Sequence, residues 1–336
     1  MNAYQEFKKI GVLGSGRWGT AMAIFLSQQG SEVTLWCYSD QEYQSLIKTD
    51  RAPNLPDYAC SGKIKFTQDL HFACKEKDLL VISTPVPFLR HLLSQIQLDP
   101  AQVIMTINKG IEQGSLQTVP ELVKEYFPDQ PLAHLGGPCF PEGLLSPSSP
   151  AAETLASEDQ ALAVRLQIFL NAPGFRVYRS SDLKGVAILG ALKNVYAIIA
   201  GVAAGRGMYE EAFAVIVTRG LAEMRWLCEE MGISLETLYG LSGLGDLVLT
   251  CYSQSSSHNK NFGLRLGRGE TAQEILDSMA GTIAEGYYTT KALYQYGQEK
   301  NIDLPLARTA YQVIYEGLPV SEALANLMDR PLKSED

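Results

Sequence analysis

The stretch KKIGVLGSGRWGTAMAIFL constrains the fold of this chain more than any other segment. An apolar run typical of a strand leads into Gly14, Gly16 and Gly19, and a helical pattern begins at once behind them. In this spacing one glycine makes a tight turn, one lets the backbone approach a pyrophosphate, and one packs helix against strand. A glycine-rich turn with no ligand is the alternative. The order strand, loop, helix favours a dinucleotide site, with the pyrophosphate at the helix N-terminus.

The pattern after this motif predicts two domains. Short β-rich runs (EVTLWCY, KIKFT, DLLVIST, QVIMTIN, LAHLGG, AAETLA and FRVYRS) alternate with helical stretches up to about residue 182. Such alternation predicts an α/β, Rossmann-type, doubly wound and mostly parallel sheet over residues 1–182. Residues 183–336 have helical periodicity throughout and predict an all-α substrate-binding domain. Within it, TCYSQSSSHNKNFG is interpreted as a polar loop at the surface or at a domain cleft.

Composition excludes several classes of function. The formal net charge is -9 and no block of lysine and arginine occurs, so no nucleic-acid footprint is expected. No secretory signal is recognised, and no run reaches the roughly 18 apolar residues of a membrane span. Six cysteines lack CxxC spacing and four histidines form no metal-binding pair, so neither a metal site nor disulfides are predicted. A cytoplasmic protein is expected.

The end of the second strand bears on the cofactor. A glycine motif of this kind is normally followed, about 20 residues on, by a carboxylate that binds the ribose 2′-hydroxyl of NAD. Here Trp36, Cys37 and Tyr38 stand at that place, and Ser39 and Asp40 come slightly late. Since a carboxylate would repel the 2′-phosphate of NADP, its absence favours NADPH, although the usual arginine is also missing and NAD stays possible.

Lys193 interrupts the apolar run LGALKNVYAIIAG. No carboxylate stands one helical turn away, and Gly190, one turn before, leaves space for a ligand. Burial among apolar neighbours lowers the pKa of a lysine toward the range useful for proton transfer to a carbonyl oxygen. A lysine that extends its stem over the core to reach water is the alternative.

Three further segments contain candidate residues. Lys109 follows a strand in TINKGIE, on the edge where open α/β sheets bind ligands. Asp246 follows a glycine-rich turn in SGLGDLVLT, where a helix N-cap is the alternative. GGPCFPEG, at 136–143, could place backbone N–H groups near the reacting atoms. Its Cys139 is expected to be a buried thiol rather than a nucleophile.

Eight blocks in this order resemble the bacterial glycerol-3-phosphate dehydrogenases that use NAD or NADP: GSGRWGTAMA, NKGIE, GGPCFPEG, LGALKNVYAIIAG, TRGLAEM, SGLGDLVLTC, NKNFGLRLGRG and AEGYYTT. The resemblance implies reversible reduction of dihydroxyacetone phosphate to sn-glycerol 3-phosphate, which supplies the phospholipid backbone, by a homodimer. It implies Lys193 as the proton-transfer residue, with Lys109 and Asp246 in the same site.

The resemblance also implies two sets of binding residues. The cofactor positions are Gly14, Ser15, Gly16, Trp18, Gly19, Tyr38, Lys109, Pro141, His258, Ile283 and Glu285. The substrate positions are Lys109, Gly137, Cys139, Lys193, Asn194, Asp246, Ser257, His258 and Asn259.

Three departures from the family pattern are apparent. His258 replaces an arginine, so the Michaelis constant for the phosphate substrate is predicted to worsen from pH 6 to 8.5, a trend that His258→Arg should flatten. Cys139 and Pro141 replace a hydroxyl residue and an alanine. A usual Lys-Glu pair is Glu142-Gly143 here.

Three other functions compete with this interpretation. A nucleotide-sugar dehydrogenase would use Cys139 to form a thioester but needs a further domain. A β-hydroxyacid dehydrogenase shares the architecture and a helix lysine but has no need of a phosphate-binding segment. A catalytically silent NAD(P) sensor would not need Lys193, Lys109 and Asp246.

Overall fold

The computed structural model describes residues 6–146, 148–253, 257–279, 284–332 and 334–335. Its first half is one sheet of eight strands in the order β3-β2-β1-β4-β5-β6-β7-β8. The strands are β1 (Lys9–Leu13), β2 (Glu32–Trp36), β3 (Ile64–Thr67), β4 (Leu79–Ile82), β5 (Val103–Thr106), β6 (Leu132–Gly136), β7 (Ala151–Ala156) and β8 (Phe175–Ser180). All pairs are parallel except β6 with β7. The predicted mostly parallel sheet is confirmed.

Seven helices accompany these strands: α1 (Arg17–Gln28), α2 (Asp40–Thr49), α3 (Leu70–Cys74), α4 (Val86–Leu93), α5 (Val119–Tyr126), α6 (Pro141–Leu145) and α7 (Gln160–Leu170). Successive strand residues point to opposite faces. Val12 therefore packs in the core under α1 and α7, and Leu13 packs in the core under α4 and α5. Because helices cover both faces, the central strands β4 and β5 are continuous apolar runs that are buried along their whole length.

The second half of the described chain is helical: α8 (Leu183–Gly205), α9 (Glu210–Met231), α10 (Leu235–Tyr239), a π-helical turn (Leu241–Gly245), α11 (Asp246–Tyr252), α12 (His258–Gly267), α13 (Ala272–Ser278), α14 (Glu285–Lys300), α15 (Pro305–Tyr315) and α16 (Val320–Met328). The predicted helical second part is confirmed. Helix α8 contacts both β6 and the surrounding helices, and the exact domain boundary between 182 and 183 stays a prediction.

Helix α8 is the central element of this half. Asp182 caps it by accepting a hydrogen bond from the Gly185 N–H at 2.8 Å. Its length and composition would suffice to cross a membrane, yet 89% of its most apolar window is buried inside the protein, as in a core helix. Helix α8 packs very closely against α12, as a Cβ at Gly201 would lie only 2.1 Å from the Lys260 carbonyl oxygen. Only glycine fits at this position. This contact places the first turn of α12 beside the C-terminal part of α8.

One prediction about local structure is wrong. The polar segment 250–263 is not a loop over most of its length, because α11 extends to Tyr252 and α12 begins at His258. Ser257 makes the second helix possible, since its side chain caps the N–H of Lys260 at 3.2 Å. Polarity alone misled the interpretation, because the polar residues of α12 are only partly buried, with Asn261 exposed, whereas Phe262 and Leu266 are buried.

Candidate active site

The glycine loop joins β1 to α1 at the point where the strand order reverses. Gly14 has a φ of 121°, which favours glycine, and a Cβ at Gly19 would lie 1.9 Å from the Gly14 carbonyl oxygen. Apart from its chain neighbours, a Cβ at Gly16 would meet no atom of the described residues within 4 Å, so there is room for a ligand beside this residue. Gly16 caps α1 without a side-chain hydrogen bond, and no acidic residue stands in its first turn. The free N–H groups and the helix dipole therefore fit a pyrophosphate.

Two lysines and one aspartate meet at the carboxyl edge of the sheet. Lys193 on α8 donates to Asp246 Oδ1 at 2.6 Å, and Lys109, beyond β5, donates to Asp246 Oδ2 at 2.7 Å. Lys193 is only 4% exposed and Asp246 only 1%. Lys193 therefore does not extend to water, and the carboxylate that its own helix lacks comes from α11.

The π-helical turn before α11 places Asp246 in this position. Its N-cap residue is Gly240, and α11 itself is capped by Gly245 without a side-chain hydrogen bond. Asp246 is therefore not a capping residue. Thr250, one turn further on, accepts a hydrogen bond from Lys193 at 2.7 Å and donates to the Asp246 carbonyl oxygen at 2.7 Å. Thr250 was not predicted from the sequence.

Burial and pairing shift the two lysines in opposite directions. Burial lowers the pKa of Lys193 to about 8, and Asp246 only partly opposes this effect. Burial also acts on Lys109, but there Asp246 and Glu153 outweigh it and the pKa is raised. Lys193 is therefore the lysine whose proton is the more easily given up.

Glu153, on β7, is a buried acid that sequence reasoning missed. It is 2% exposed, and its Oε2 has no hydrogen-bond partner among the described residues. Burial raises its pKa to about 8, with Lys109 opposing and Asp246 reinforcing the shift. Its Cα lies 3.0 Å from the position of a Cβ on Gly137. The only available signal was a glutamate inside an apolar strand, AAETLA.

The GGPCFPEG segment lies against Lys109. Gly137, with a φ of 154°, accepts a hydrogen bond from Lys109 through its carbonyl oxygen at 2.7 Å. A Cβ at Gly190 would contact the Lys109 side chain at 3.7 Å, so the space expected there for a ligand holds the lysine stem. Cys139 is buried, and burial raises its pKa far above the ordinary thiol value. A nucleophilic role for this thiol is not supported.

Two residues at predicted cofactor positions, Trp18 and Glu285, and one at a predicted substrate position, Asn194, lie near the lysines. The Trp18 ring centroid lies 5.9 Å from Lys109 Nζ. Glu285, the first residue of α14, accepts a hydrogen bond from the Val86 N–H, and burial raises its pKa to about 7. Asn194 donates to the Lys109 carbonyl oxygen at 3.1 Å, which ties α8 to the loop after β5.

The Ser257, His258, Asn259 segment lies at the beginning of α12. Asn259 accepts a hydrogen bond from the Gly286 N–H at 2.8 Å. Burial, together with the nearby Arg17, lowers the pKa of His258, and Glu142 opposes this shift. Arg17 and Glu142 form an ion pair, so the Glu142 that departs from the family pattern joins α1 to α6.

The remaining candidates lie at the border of the site. Tyr38, just beyond β2, is 79% exposed, and its ring centroid lies 6.0 Å from that of Trp36. Pro141 is a buried residue at the first position of α6, which packs on α1. Ile283 lies outside the described residues.

The arrangement has a definite chemistry. The glycine loop fits a dinucleotide, and two buried ammonium groups sharing one carboxylate can bind an anion and give a proton to a carbonyl oxygen. The described residues contain no cluster of three or more histidine, cysteine, aspartate or glutamate residues that could hold a metal ion. The fold and the site together define a Rossmann-type dehydrogenase with a helical second part.

Comparison with known proteins identifies the family. Residues 9–163 and 182–325 match the profiles of the N-terminal and C-terminal parts of NAD-dependent glycerol-3-phosphate dehydrogenase. The chain is 39% identical to the glycerol-3-phosphate dehydrogenase (NAD(P)+) of Syntrophotalea carbinolica, over 97% of this chain and 99% of that protein. The corresponding protein of Geobacter sulfurreducens is 37% identical over 98% and 99%. The chain belongs to the NAD-dependent glycerol-3-phosphate dehydrogenase family.

Solved structures agree with this assignment. The crystal structure of glycerol-3-phosphate dehydrogenase from Coxiella burnetii matches with a TM-score of 0.91 at 31% identity, covering 96% of this chain and 99% of that one. A D-mandelate dehydrogenase structure with NADH matches with a TM-score of 0.60 at 15% identity, covering 96% and 100%, and shows likeness of fold alone.

Proposed function

We propose that this chain reversibly reduces dihydroxyacetone phosphate to sn-glycerol 3-phosphate with a nicotinamide dinucleotide. The observation that carries the proposal is the buried trio in which Lys193 and Lys109 share Asp246 at the carboxyl edge of the sheet. When bound, the nicotinamide supplies or accepts the hydride. The product is the backbone of phospholipids, which gives the enzyme a place in lipid metabolism.

Lys193 is the proposed proton donor to the ketone oxygen. As the carbonyl carbon gains its hydrogen, the oxygen takes one proton from the Lys193 ammonium, which is left as a neutral amine. A pKa of about 8 lets this group be protonated at neutral pH and still release its proton readily. Asp246 and Thr250 hold the Nζ in place, so the proton is presented from a fixed position.

Lys109 is the proposed electrostatic partner. Its raised pKa keeps it cationic at all working pH values, so it stabilises negative charge on the reacting oxygen without giving up a proton. Asn194 supports it by holding the Lys109 main chain. With Glu153 neutral, two cations and one anion leave the trio with a net charge of +1, which suits an anionic substrate.

The phosphate is assigned to the beginning of α12. This helix of ten residues has no acidic residue in its first turn, and Ser257, His258 and Asn259 stand at its N-terminus. Its N–H groups and dipole favour an anion there. His258 would add a positive charge only when protonated, which burial and Arg17 oppose.

The direct test is the loss of reduced-nicotinamide absorbance when dihydroxyacetone phosphate is added to the purified protein. Unphosphorylated dihydroxyacetone is the matched control, and we expect it to react far more slowly because α12 has no phosphate to bind. Oxidation of a 3-hydroxy acid without any activity on the triose phosphate would favour the β-hydroxyacid dehydrogenase alternative. Cofactor binding without turnover of either substrate would favour the sensor.

We also propose a homodimer. An apolar cavity of about 470 Å³ opens between α8, α9, α15 and α16, and neither Lys193 nor Lys109 lines it. The side chains of Val215, Leu324 and Met328 line it and are 59%, 42% and 75% exposed. An apolar surface of this kind supports a protein partner, and a second copy is the simplest one. Light scattering of the parent and of Val215→Glu tests this: a monomeric parent would refute the dimer.

We also propose that the protein is cytoplasmic. The six cysteines are free thiols, all of them buried, which suits a reducing compartment. Fractionation of cells that express the protein checks the location.

A further inference from the structure

Glu42 lies beside the glycine loop, although it is six residues beyond the end of β2. Ser15, between the first two glycines of the motif, donates its hydroxyl to Glu42 Oε2 at 2.5 Å. Asn54 donates its side-chain amide to Glu42 Oε1 at 3.3 Å and to the Ser15 carbonyl oxygen at 3.4 Å. The three residues form a hydrogen-bonded cluster over the turn between β1 and α1.

The fold explains how a helix residue reaches this place. The Gly14 N–H donates to the Trp36 carbonyl oxygen at 3.2 Å, which joins the glycine loop to the end of β2. Ser39 is the N-cap of α2, and its side chain accepts a hydrogen bond from the Glu42 N–H at 3.4 Å. The Glu42 carboxylate therefore lies at the carboxyl ends of β1 and β2, where a sheet of this topology places the adenosine ribose of a dinucleotide.

The cluster has an excess of acceptors and negative charge. Among the described residues, no lysine, arginine or histidine nitrogen lies within 4.0 Å of the Glu42 carboxylate. Its two donors, from Ser15 and Asn54, are neutral. Asn54 Oδ1 is buried and has no hydrogen-bond partner in the described parts of the chain. A ribose with free hydroxyl groups offers the donors that such a cluster lacks, whereas a 2′-phosphate offers none.

We propose that Glu42 reads the ribose 2′ position and makes NAD(H) the preferred cofactor over NADP(H). This inference rests on the proposed function. It opposes the preference for NADPH expected from the sequence, which depended on the lack of a carboxylate at the end of β2. Glu42 supplies that carboxylate from α2 instead. A 2′-phosphate within reach of this carboxylate places like charges together in a partly screened setting, and discrimination on the order of ten- to a hundredfold follows.

The test measures binding of nucleotides that lack the nicotinamide, so that the readout does not depend on turnover. Calorimetry gives dissociation constants of ADP-ribose and 2′-phospho-ADP-ribose for the parent, Glu42→Gln and Glu32→Gln. Glu32 is the matched control, because it is an exposed glutamate at the opposite end of β2. We expect the parent to bind ADP-ribose at least about tenfold more tightly, Glu42→Gln to lose most of this ratio, and Glu32→Gln to keep it.

Two outcomes would overturn the inference: equal binding or tighter 2′-phospho-ADP-ribose binding by the parent, or an unchanged ratio in Glu42→Gln. If Glu42→Gln folds poorly, the two dissociation constants of the parent are measured at increasing salt concentration instead. Discrimination caused by charge must fall as salt rises, so a ratio that does not fall would contradict the inference. A parent that binds both nucleotides equally and still reduces dihydroxyacetone phosphate would refute the proposed role of Glu42 but leave the proposed function intact. A parent that binds neither nucleotide would sink both.

Discussion

Replacing Lys193 with methionine is expected to abolish activity while making the protein more stable at pH 7. The pKa of Lys193 falls from 10.5 to about 8, mainly because of burial, so the folded state holds the ammonium at a disadvantage. That difference corresponds to about 3 kcal/mol at pH 7, with the attraction of Asp246 already included. Methionine has a similar length and no charge, and Asp246 keeps Lys109 at 2.7 Å. We expect Lys193→Met to raise the free energy of unfolding by about 2 to 3 kcal/mol.

The pH dependence of this gain has a defined sign. Between pH 8 and 10.5 the folded parent has released the Lys193 proton and the unfolded chain still binds it, so the stability of the parent rises with pH in this window. The advantage of Lys193→Met over the parent should therefore shrink, from about 3 kcal/mol at pH 7 to about 1 kcal/mol at pH 9.5. Loss of the proton donor should lower kcat by about a hundred- to ten-thousandfold at pH 7. The ratio should be smaller at pH 9.5, where most of the parent has also lost the Lys193 proton.

Urea unfolding of the parent, Lys193→Met and Lys48→Met at pH 7 and pH 9.5 measures these differences. Lys48 is the matched control, because it is an exposed lysine on α2 whose removal should change stability little and without this pH trend. A Lys193→Met protein that is less stable than the parent at pH 7 by about 2 kcal/mol or more would show that the ion pair with Asp246 outweighs burial, and the pKa argument for proton donation would fail.

Three other substitutions test separate parts of the site. Asp246→Asn leaves both lysines without their shared carboxylate, so we expect the free energy of unfolding in urea to fall by about 3 to 5 kcal/mol. Since Asp246 raises the pKa of Lys193, kcat of this variant should also begin to decline at a lower pH than in the parent. Cys139→Ser should keep turnover of dihydroxyacetone phosphate within about threefold, because the buried thiol has no nucleophilic role, and a dead variant in a steady-state assay would revive the thioester route. His258→Arg should flatten the rise of the Michaelis constant with pH. Because burial lowers the pKa of His258, most of that rise in the parent is expected below pH 7. Identical pH profiles for the two proteins would show that His258 does not bind the phosphate.

The fold was predictable because its signals are local. Short apolar runs mark the central strands, and the glycines after β1 leave little choice of turn. A Cβ at Gly19 would collide with the Gly14 carbonyl oxygen, so the glycine spacing in the sequence reflects a steric requirement of this turn. The segment 250–263 failed because a ten-residue amphipathic helix rich in polar residues looks like a loop until its packing partner is known.

The contacts within the site were not predictable, because they join distant parts of the chain. Asp246 is 137 residues from Lys109 and 53 residues from Lys193 along the sequence. Its position depends on a π-helical turn that was not predicted from the sequence. Glu42 shows the same limit beside the glycine loop, because its hydrogen bond with Ser15 joins α2 to the turn after β1.

Glu153 shows why such a site has to be considered as one electrostatic unit. Burial raises its pKa to about 8, close to the value for Lys193, so the two groups titrate in the same range and the charge of each favours the opposite charge on the other. Neutral Glu153 leaves the lysines and Asp246 with a net charge of +1, whereas ionised Glu153 cancels it. Ionisation of Glu153, which is not among the predicted substrate or cofactor positions, would thus weaken the attraction for an anionic substrate at alkaline pH. An alkaline limb in kcat/KM therefore belongs to the coupled pair, and assigning it to Lys193 requires the Lys193 and Glu153 variants together.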